Sequence, residues 1–92
     1  WCTFNGTTTG TNAPTAGFNV TSVTRNSAGN YTVTFTRQLP NANSVPVASC
    51  NSVASGTSVG TQAASAASVN VLVSVSGTPT DASEVKCVVF GL

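Results

Sequence analysis

The clearest pattern along the chain is an alternation of apolar and polar residues at period two. Tyr31, Val33 and Phe35 alternate with Thr32, Thr34 and Thr36, and Val69, Val71, Val73 and Val75 form a second stripe. Successive side chains on a strand point to opposite faces, so each stripe predicts a strand with one face on a core. The Thr32, Thr34 and Thr36 face is then wet or packs on another subunit. Leu72, opposite the second stripe, predicts a central strand covered at least partly on both sides. Glu84 to Phe90 reads as a closing strand, with Val85, Cys87 and Val89 on one face and Val88 and Phe90 on the other.

Weaker patterns fill in the rest. Trp1 to Asn5 predicts a short first strand, and the Gly-, Thr-, Asn- and Pro-rich run from Gly6 to Thr15 predicts a loop. Gly17 to Arg25 reads as a strand with Phe18 and Val20 on one face, and Val23 falls out of step, which predicts a bulge near Thr21 and Ser22. Asn26 to Asn30 carries residues that tolerate positive φ and predicts a hairpin turn. A second turn follows at Leu39 to Asn43. Ser44 to Cys50 reads as a strand whose Pro46 belongs at an edge or bulge. Asn51 to Ser68 has little bulk beyond Val53 and Val59, so it predicts a long loop or one weak strand, with a helical turn at Gln62 to Ala67 as a further option. The sum is an all-β fold in one domain spanning residues 1–92: a small antiparallel β-sandwich of about six to eight short strands.

Composition supports strands and limits the core. Fifteen Thr and fourteen Val supply β-branched side chains that suit a pleated surface. Eleven of the apolar residues are Ala, with three Leu, four Phe, one Trp, one Tyr and neither Ile nor Met. A chain of 92 residues buries only about 60–65% of its unfolded surface, so so light a core points to partner subunits. Arg25, Arg37, Asp81, Glu84 and Lys86 are the only charged side chains, for a net charge of +1. That field is too weak for nucleic acid or an anionic membrane surface. Ser, Thr and Asn must supply the polar surface, and their neutral donors and acceptors suit sugars, ordered water or a neighbouring subunit. No stretch has the length and apolarity of a membrane span. Trp1 opens the chain without a basic-then-apolar leader, which suggests a fragment or processed product.

The candidate chemistry is sparse. Without histidine, neither a serine triad nor a Cys–His pair can be assembled, and one Asp with one Glu makes a poor glycosidase pair. The expectation is a protein that is not an enzyme and needs no cofactor or metal. Asp81 is expected to tie its own turn between Thr78 and Ser83, and Glu84 to pair loosely with Lys86 or Arg37; two carboxylates offer too few oxygens for calcium. Cys2, Cys50 and Cys87 make an odd count in no zinc spacing. They read as buried thiols acting as small hydrophobes, with a Cys2–Cys87 disulfide as the alternative, since first and last strands often lie side by side. The Asn-X-Thr sequons at Asn5, Asn19 and Asn30 are read as chance products of an Asn- and Thr-rich chain. Tyr31 and Trp1 could stack on a sugar ring, but core packing is the preferred reading of both.

Three stretches in order, Phe18-Asn19-Val20-Thr21-Ser22-Val23-Thr24, Ala28-Gly29-Asn30-Tyr31-Thr32-Val33-Thr34-Phe35 and Leu39-Pro40-Asn41-Ala42-Asn43, resemble the C-terminal region of bacteriophage tail-fibre proteins. Trp1, Phe4 and Gly6 resemble that family's start, and Asp81 with Val85 to Gly91 its closing strand. The likeness covers most of the chain outside residues 51–68. Thr15 and Ala16 stand where the family carries a basic residue, Arg25 where it carries an acidic one, and Ser44 near an expected aromatic. The resemblance implies a homotrimer of β-sandwiches at the fibre tip of a virion, outside the cell, binding a host surface glycan or protein. Exposed loops are the expected recognition elements, with Asn26, Ser27, Asn41, Asn43, Ser55, Thr57 and Ser58 as candidate receptor-binding residues. Two other readings are a structural or decoration module that binds other phage proteins, and a secreted carbohydrate-binding adhesin domain.

Overall fold

A computed structural model describes residues 1–51, 53–63 and 65–91. The strands in chain order are β1 (Cys2–Phe4), β2 (Gly10–Asn12), β3 (Ala16–Gly17), β4 (Val20–Ser27), β5 (Asn30–Phe35), β6 (Val45–Cys50), β7 (Thr57–Ala63), β8 (Ser68–Val75), β9 (Thr78–Pro79) and β10 (Val85–Phe90). All pairings are antiparallel. One sheet has the order β3-β1-β10-β6, and the other β2-β4-β5-β8-β7 with β9 added beside β8. Among the described residues, eight strands have three residues or more; β3 and β9, of two residues each, bring the total to ten. No helix occurs among the described residues.

The predicted stripes meet between the sheets. Tyr31, Val33, Phe35, Val69, Val71 and Val73 point inward from one sheet, and Cys2, Phe4, Val85 and Cys87 from the other. Phe4 meets Tyr31 edge-on, with ring centroids 5.2 Å apart, an arrangement that aims a ring's positive edge at its neighbour's negative face. Strand β8 is central, between β5 and β7. Leu72, expected to be covered, lies exposed on its outer side, and none of the described strands forms a second layer over that face. The bulge predicted near Thr21 and Ser22 appears as a register shift between Val20 and Ser22 against β5. Pro46 sits on the edge strand β6. Asn51 N–H donates to Glu84 O, and this fixes the alternation of ladder bonds so that the backbone of Pro46 faces away from β10. The missing amide therefore costs no ladder bond.

Three expectations are corrected. The run 6–15 is not all loop, because Gly10–Asn12 pairs with β4 as β2. The stretch 17–25 is not one strand: β3 belongs to one sheet and β4 to the other, and Phe18 is 73% exposed and does not share the core face with Val20. Asn19 makes the crossing at φ 58°, a conformation that Asn tolerates better than most residues. Its side chain clamps Arg37, accepting from the backbone N–H at 2.8 Å and donating to the carbonyl at 3.0 Å. Breaking the chain direction there also breaks the period-two count. Finally, within the stretch 51–68, read as a long loop or one weak strand, Thr57–Ala63 forms the strand, β7, in register with β8. It lacks an apolar stripe because it is an edge strand whose inward positions are Thr57, Val59 and Thr61. The helical turn proposed from Gln62 is replaced by strand at Gln62 and a bend at Ala66 and Ala67; Ala64 lies outside the described residues.

Candidate functional site

The outer faces of the two sheets differ in character. On the four-stranded sheet, Val88 stands opposite Val47 and Phe90 opposite Val45. Trp1 is tied to Phe18 by a backbone bond from Phe18 N–H to Trp1 O at 2.8 Å. Continuing the Cys2–Cys87 register by one residue places Trp1 level with Val88. These six residues are all exposed, Phe90 at 62% and Trp1 at 54%. Beside them Trp1, Phe18, Phe35, Leu39 and Val89 line a hollow of about 200 Å³. Large exposed apolar patches on soluble domains mark surfaces that meet another molecule.

The outer face of the larger sheet is uncharged and mostly polar, with Leu72 exposed on it. Pairing places Thr11, Thr24, Thr32, Asn70 and Gln62 in one row across five strands. Two neighbouring pairs in the row bond to each other: Thr11 and Thr24 share a hydroxyl bond of 2.8 Å, and Thr32 donates to Asn70 Oδ1 at 3.0 Å. Each hydroxyl keeps further capacity for a ligand or water.

The seven candidate receptor-binding residues separate into two groups. Asn26 and Ser27 lie at the β4–β5 hairpin, and Ser55, Thr57 and Ser58 at the β6–β7 turn; Thr57 pairs with Val75 and Asn30 with Leu72, so both turns share one end of the larger sheet. Asn41 and Asn43 lie in the connection after β5, at the opposite end, roughly 17 Å away along a strand rising ~3.4 Å per residue. No single small ligand touches both groups. Several of these side chains also have structural partners. Asn26 Nδ2 donates to Thr32 at 2.8 Å, Asn41 Oδ1 accepts from Asn43 N–H at 2.8 Å, and Ser58 shares a 2.9 Å bond with Ser74. The hydroxyl of Thr57 donates to Ala54 O at 2.6 Å and closes its own turn.

Asp81 is corrected from a local turn residue to a long-range anchor. It accepts from Arg25 Nε at 3.1 and 3.0 Å, from Gly29 N–H at 2.9 Å and from Tyr31 O–H at 2.9 Å, and pairs with Arg25 Nη2 at 2.9 Å. Burial alone would raise its pKa, but the bonds from Arg25, Gly29 and Tyr31 outweigh burial and hold the carboxyl below its ordinary value. Burial, with Asp81 adding to it, pushes the Tyr31 phenol up to about 12. Tyr31 is 1% exposed, so it is a core residue and no sugar platform, whereas Trp1, expected in the core, is 54% exposed. Arg25 continues the inward alternation from Val23, and that was the one signal for this anchor available in the sequence. Glu84 pairs with Lys86 on the surface at 3.2 Å, as expected. A cleft of about 260 Å³ between β2 and the first strand, lined by Phe4, Val23, Arg25 and Tyr31 among others, opens beside the anchor.

The cysteines are free thiols, with Cys2 and Cys87 buried and Cys50 half-buried. No group of three or more potential metal ligands occurs among the described residues, and no described helix has the length and apolarity of a membrane span. Comparison with protein-family models, curated proteins and solved structures finds no match for this chain.

Proposed function

We propose that this domain is a non-enzymatic tail-fibre head of a bacteriophage, which assembles as a homotrimer through the apolar outer face of its four-stranded sheet and binds a host surface glycan or protein. The observation that carries the reading is the contrast between the faces. Three aromatic rings of ~150–250 Å² each and three valines, exposed between 42% and 73%, leave on the order of 600 Å² of apolar surface, close to the ~800 Å² per partner of a standard interface. Packing it against copies of the chain adds the burial that a Val- and Ala-rich core lacks. The opposite face and the hairpin end then stay open, and their neutral hydroxyls and amides match the hydrogen-bonding groups of a glycan. The resemblance of residues 18–24, 28–35 and 39–43 to tail-fibre proteins supports the phage assignment.

The test combines native mass with host retention. The wild-type chain should run at the mass of three subunits, and Val88→Lys, placing a charge in the middle of the apolar face, should run as a folded monomer. The trimer should be retained on envelopes of susceptible bacteria. A wild-type monomer at micromolar concentration would remove the assembly role of this face. A trimer that no host envelope retains would favour a virion structural module that binds other phage proteins.

A further inference from the structure

The register brings two of the three thiols face to face. Cys2 of β1 stands directly opposite Cys87 of β10, and both point into the sandwich, 1% exposed each. The hydrogen-bond phase of the two strands is fixed by their other neighbours. Trp1 exchanges bonds with Phe18 on the β3 side, so the backbone of Cys2 faces β10; Glu84 bonds Asn51 on the β6 side, so the backbone of Cys87 faces β1. The two cysteines therefore occupy a mutually bonded position of the ladder, where Cα atoms lie ~5.5 Å apart. That separation falls within the ~4.4–6.8 Å range that disulfides span. In this mutually bonded position the opposed Cβ atoms lie toward the wide end of the ~4.5–5.5 Å range against ~3.5–4.5 Å across a disulfide, so closure draws them together by about 1–2 Å. The negative charge of a Cys87 thiolate also helps to raise the Cys2 pKa, behind burial as the main cause, an effect that requires the two sulfurs to be near each other.

Cys50 is not placed for the same reaction. It stands opposite Val85, and the residue opposite Cys87 on that side is Ala48. From Cys2 it is two strands away.

We propose that Cys2 and Cys87 form a cross-strand disulfide when the chain folds in the presence of a disulfide oxidant, leaving Cys50 as the free thiol. The reaction is thiol–disulfide exchange. One cysteine thiolate attacks a sulfur of oxidised glutathione and expels a glutathione thiolate. The second cysteine thiolate then attacks the protein sulfur of the mixed disulfide and expels the other. The protein loses two protons and two electrons, and one glutathione disulfide becomes two thiols. Burial pushes the Cys2 thiol to about 12 and raises that of Cys87, so in the closed sheet neither is a ready nucleophile at neutral pH. The bridge accordingly forms before β1 docks on β10, or during local opening of that three-residue strand. Once made, it ties residues 2 and 87 and encloses nearly the whole chain in one covalent loop.

The experiment is refolding from urea in glutathione buffers of graded redox ratio, followed by acid quench, alkylation and peptide mapping, with no dependence on assembly or host binding. The expected result is one Cys2–Cys87 linked peptide pair and an alkylated Cys50, together with an oxidised form whose Tm falls by roughly 10 °C or more on adding dithiothreitol. Cys50→Ser should keep the bridge and the Tm shift; Cys87→Ser should lose both. Three alkylated cysteines after refolding in oxidised glutathione, or a bridge that includes Cys50, would overturn the assignment. A Cys2–Cys87 bridge that lowers the Tm would overturn its fit to the native register.

Discussion

Removing the Asp81 carboxylate should cost this domain a large share of its stability and nearly all of its acid sensitivity. In Asp81→Ala, the buried Tyr31 hydroxyl and the buried Gly29 amide lose their acceptor. Each orphaned buried donor costs about 1–3 kcal/mol. Water entering through the partly open side of Asp81 recovers some of that, so the expected loss is roughly 2–4 kcal/mol. A domain of this size has a total of roughly 5–14 kcal/mol. Arg25 can turn to solvent and is left out of the magnitude. The pH dependence has a definite sign. The folded-state pKa of Asp81 lies below its ordinary value of 3.8, so the stabilisation is complete above about pH 4 and fades as pH falls through the lower folded value. Asp81 and Glu84 are the only side-chain carboxyls and there is no histidine, so few other groups can produce such a slope. Urea unfolding followed by far-UV circular dichroism at a series of pH values would read both effects. Asp81→Asn, which cannot titrate, should flatten the profile between pH 4 and 2. The reasoning fails if Asp81→Ala lies within about 0.5 kcal/mol of wild type, or if Asp81→Asn keeps the wild-type slope.

Other outcomes follow from single contacts. Val71 is fully buried, and Val71→Ala should lower the urea-derived stability by roughly 2–3 kcal/mol, the transfer loss of two methyl groups plus the cavity they leave. Gly29 has φ 67° and lies against the carbonyl of Val73, so Gly29→Ala should cost more than about 1 kcal/mol in the same assay. Tyr31→Phe should cost about 1 kcal/mol in wild type and close to nothing in the Asp81→Ala background, a coupling that a double-mutant cycle would measure. For host retention, an Asn26→Ala and Ser58→Ala double variant should weaken adsorption to envelopes, whereas Asn41→Ala with Asn43→Ala, at the far end of the sheet, should not. The reverse order would move recognition to the other end.

The core strands were legible because their inward positions carry bulk at period two: Tyr31, Val33 and Phe35, then Val69, Val71 and Val73. The closing strand showed its double character as well, since Val88 and Phe90 alternate against Val85 and Cys87 and become the exposed apolar face. Edge strands were harder to read. Strand β7 turns Thr57, Val59 and Thr61 inward, and an edge position half-covered by its neighbour needs no apolar stripe. The crossing at Asn19 was hidden for another reason. A residue that redirects the chain between sheets resets the face count, and Phe18 moves outward although its spacing from Val20 suggests a shared face. The Asp81 anchor depends on partners 50 to 56 positions away, a separation that no local pattern encodes; only the inward phase of Arg25 pointed to it.

That anchor links stability to the hairpin end proposed for recognition. Asp81 holds Gly29, the turn residue of the β4–β5 hairpin, and Tyr31, the first inward residue of the returning strand. Gly29 O in turn accepts from Val73 N–H at 2.8 Å, so the hairpin end is fastened to the central strand as well as to the 80s connection. The Asn26 and Ser27 side chains ride on this end. Their positions therefore depend on a carboxylate that is not itself at the outer surface. Asp81→Ala should accordingly loosen the hairpin by more than it loosens the core. Amide hydrogen exchange distinguishes the two contributions. Exchange at Gly29 should accelerate by a larger factor than exchange at Val71, since the Gly29 amide loses its acceptor directly while Val71 feels only the lower global stability. Equal acceleration at both sites would mean that Asp81 stabilises the fold as a whole and does nothing particular for the hairpin.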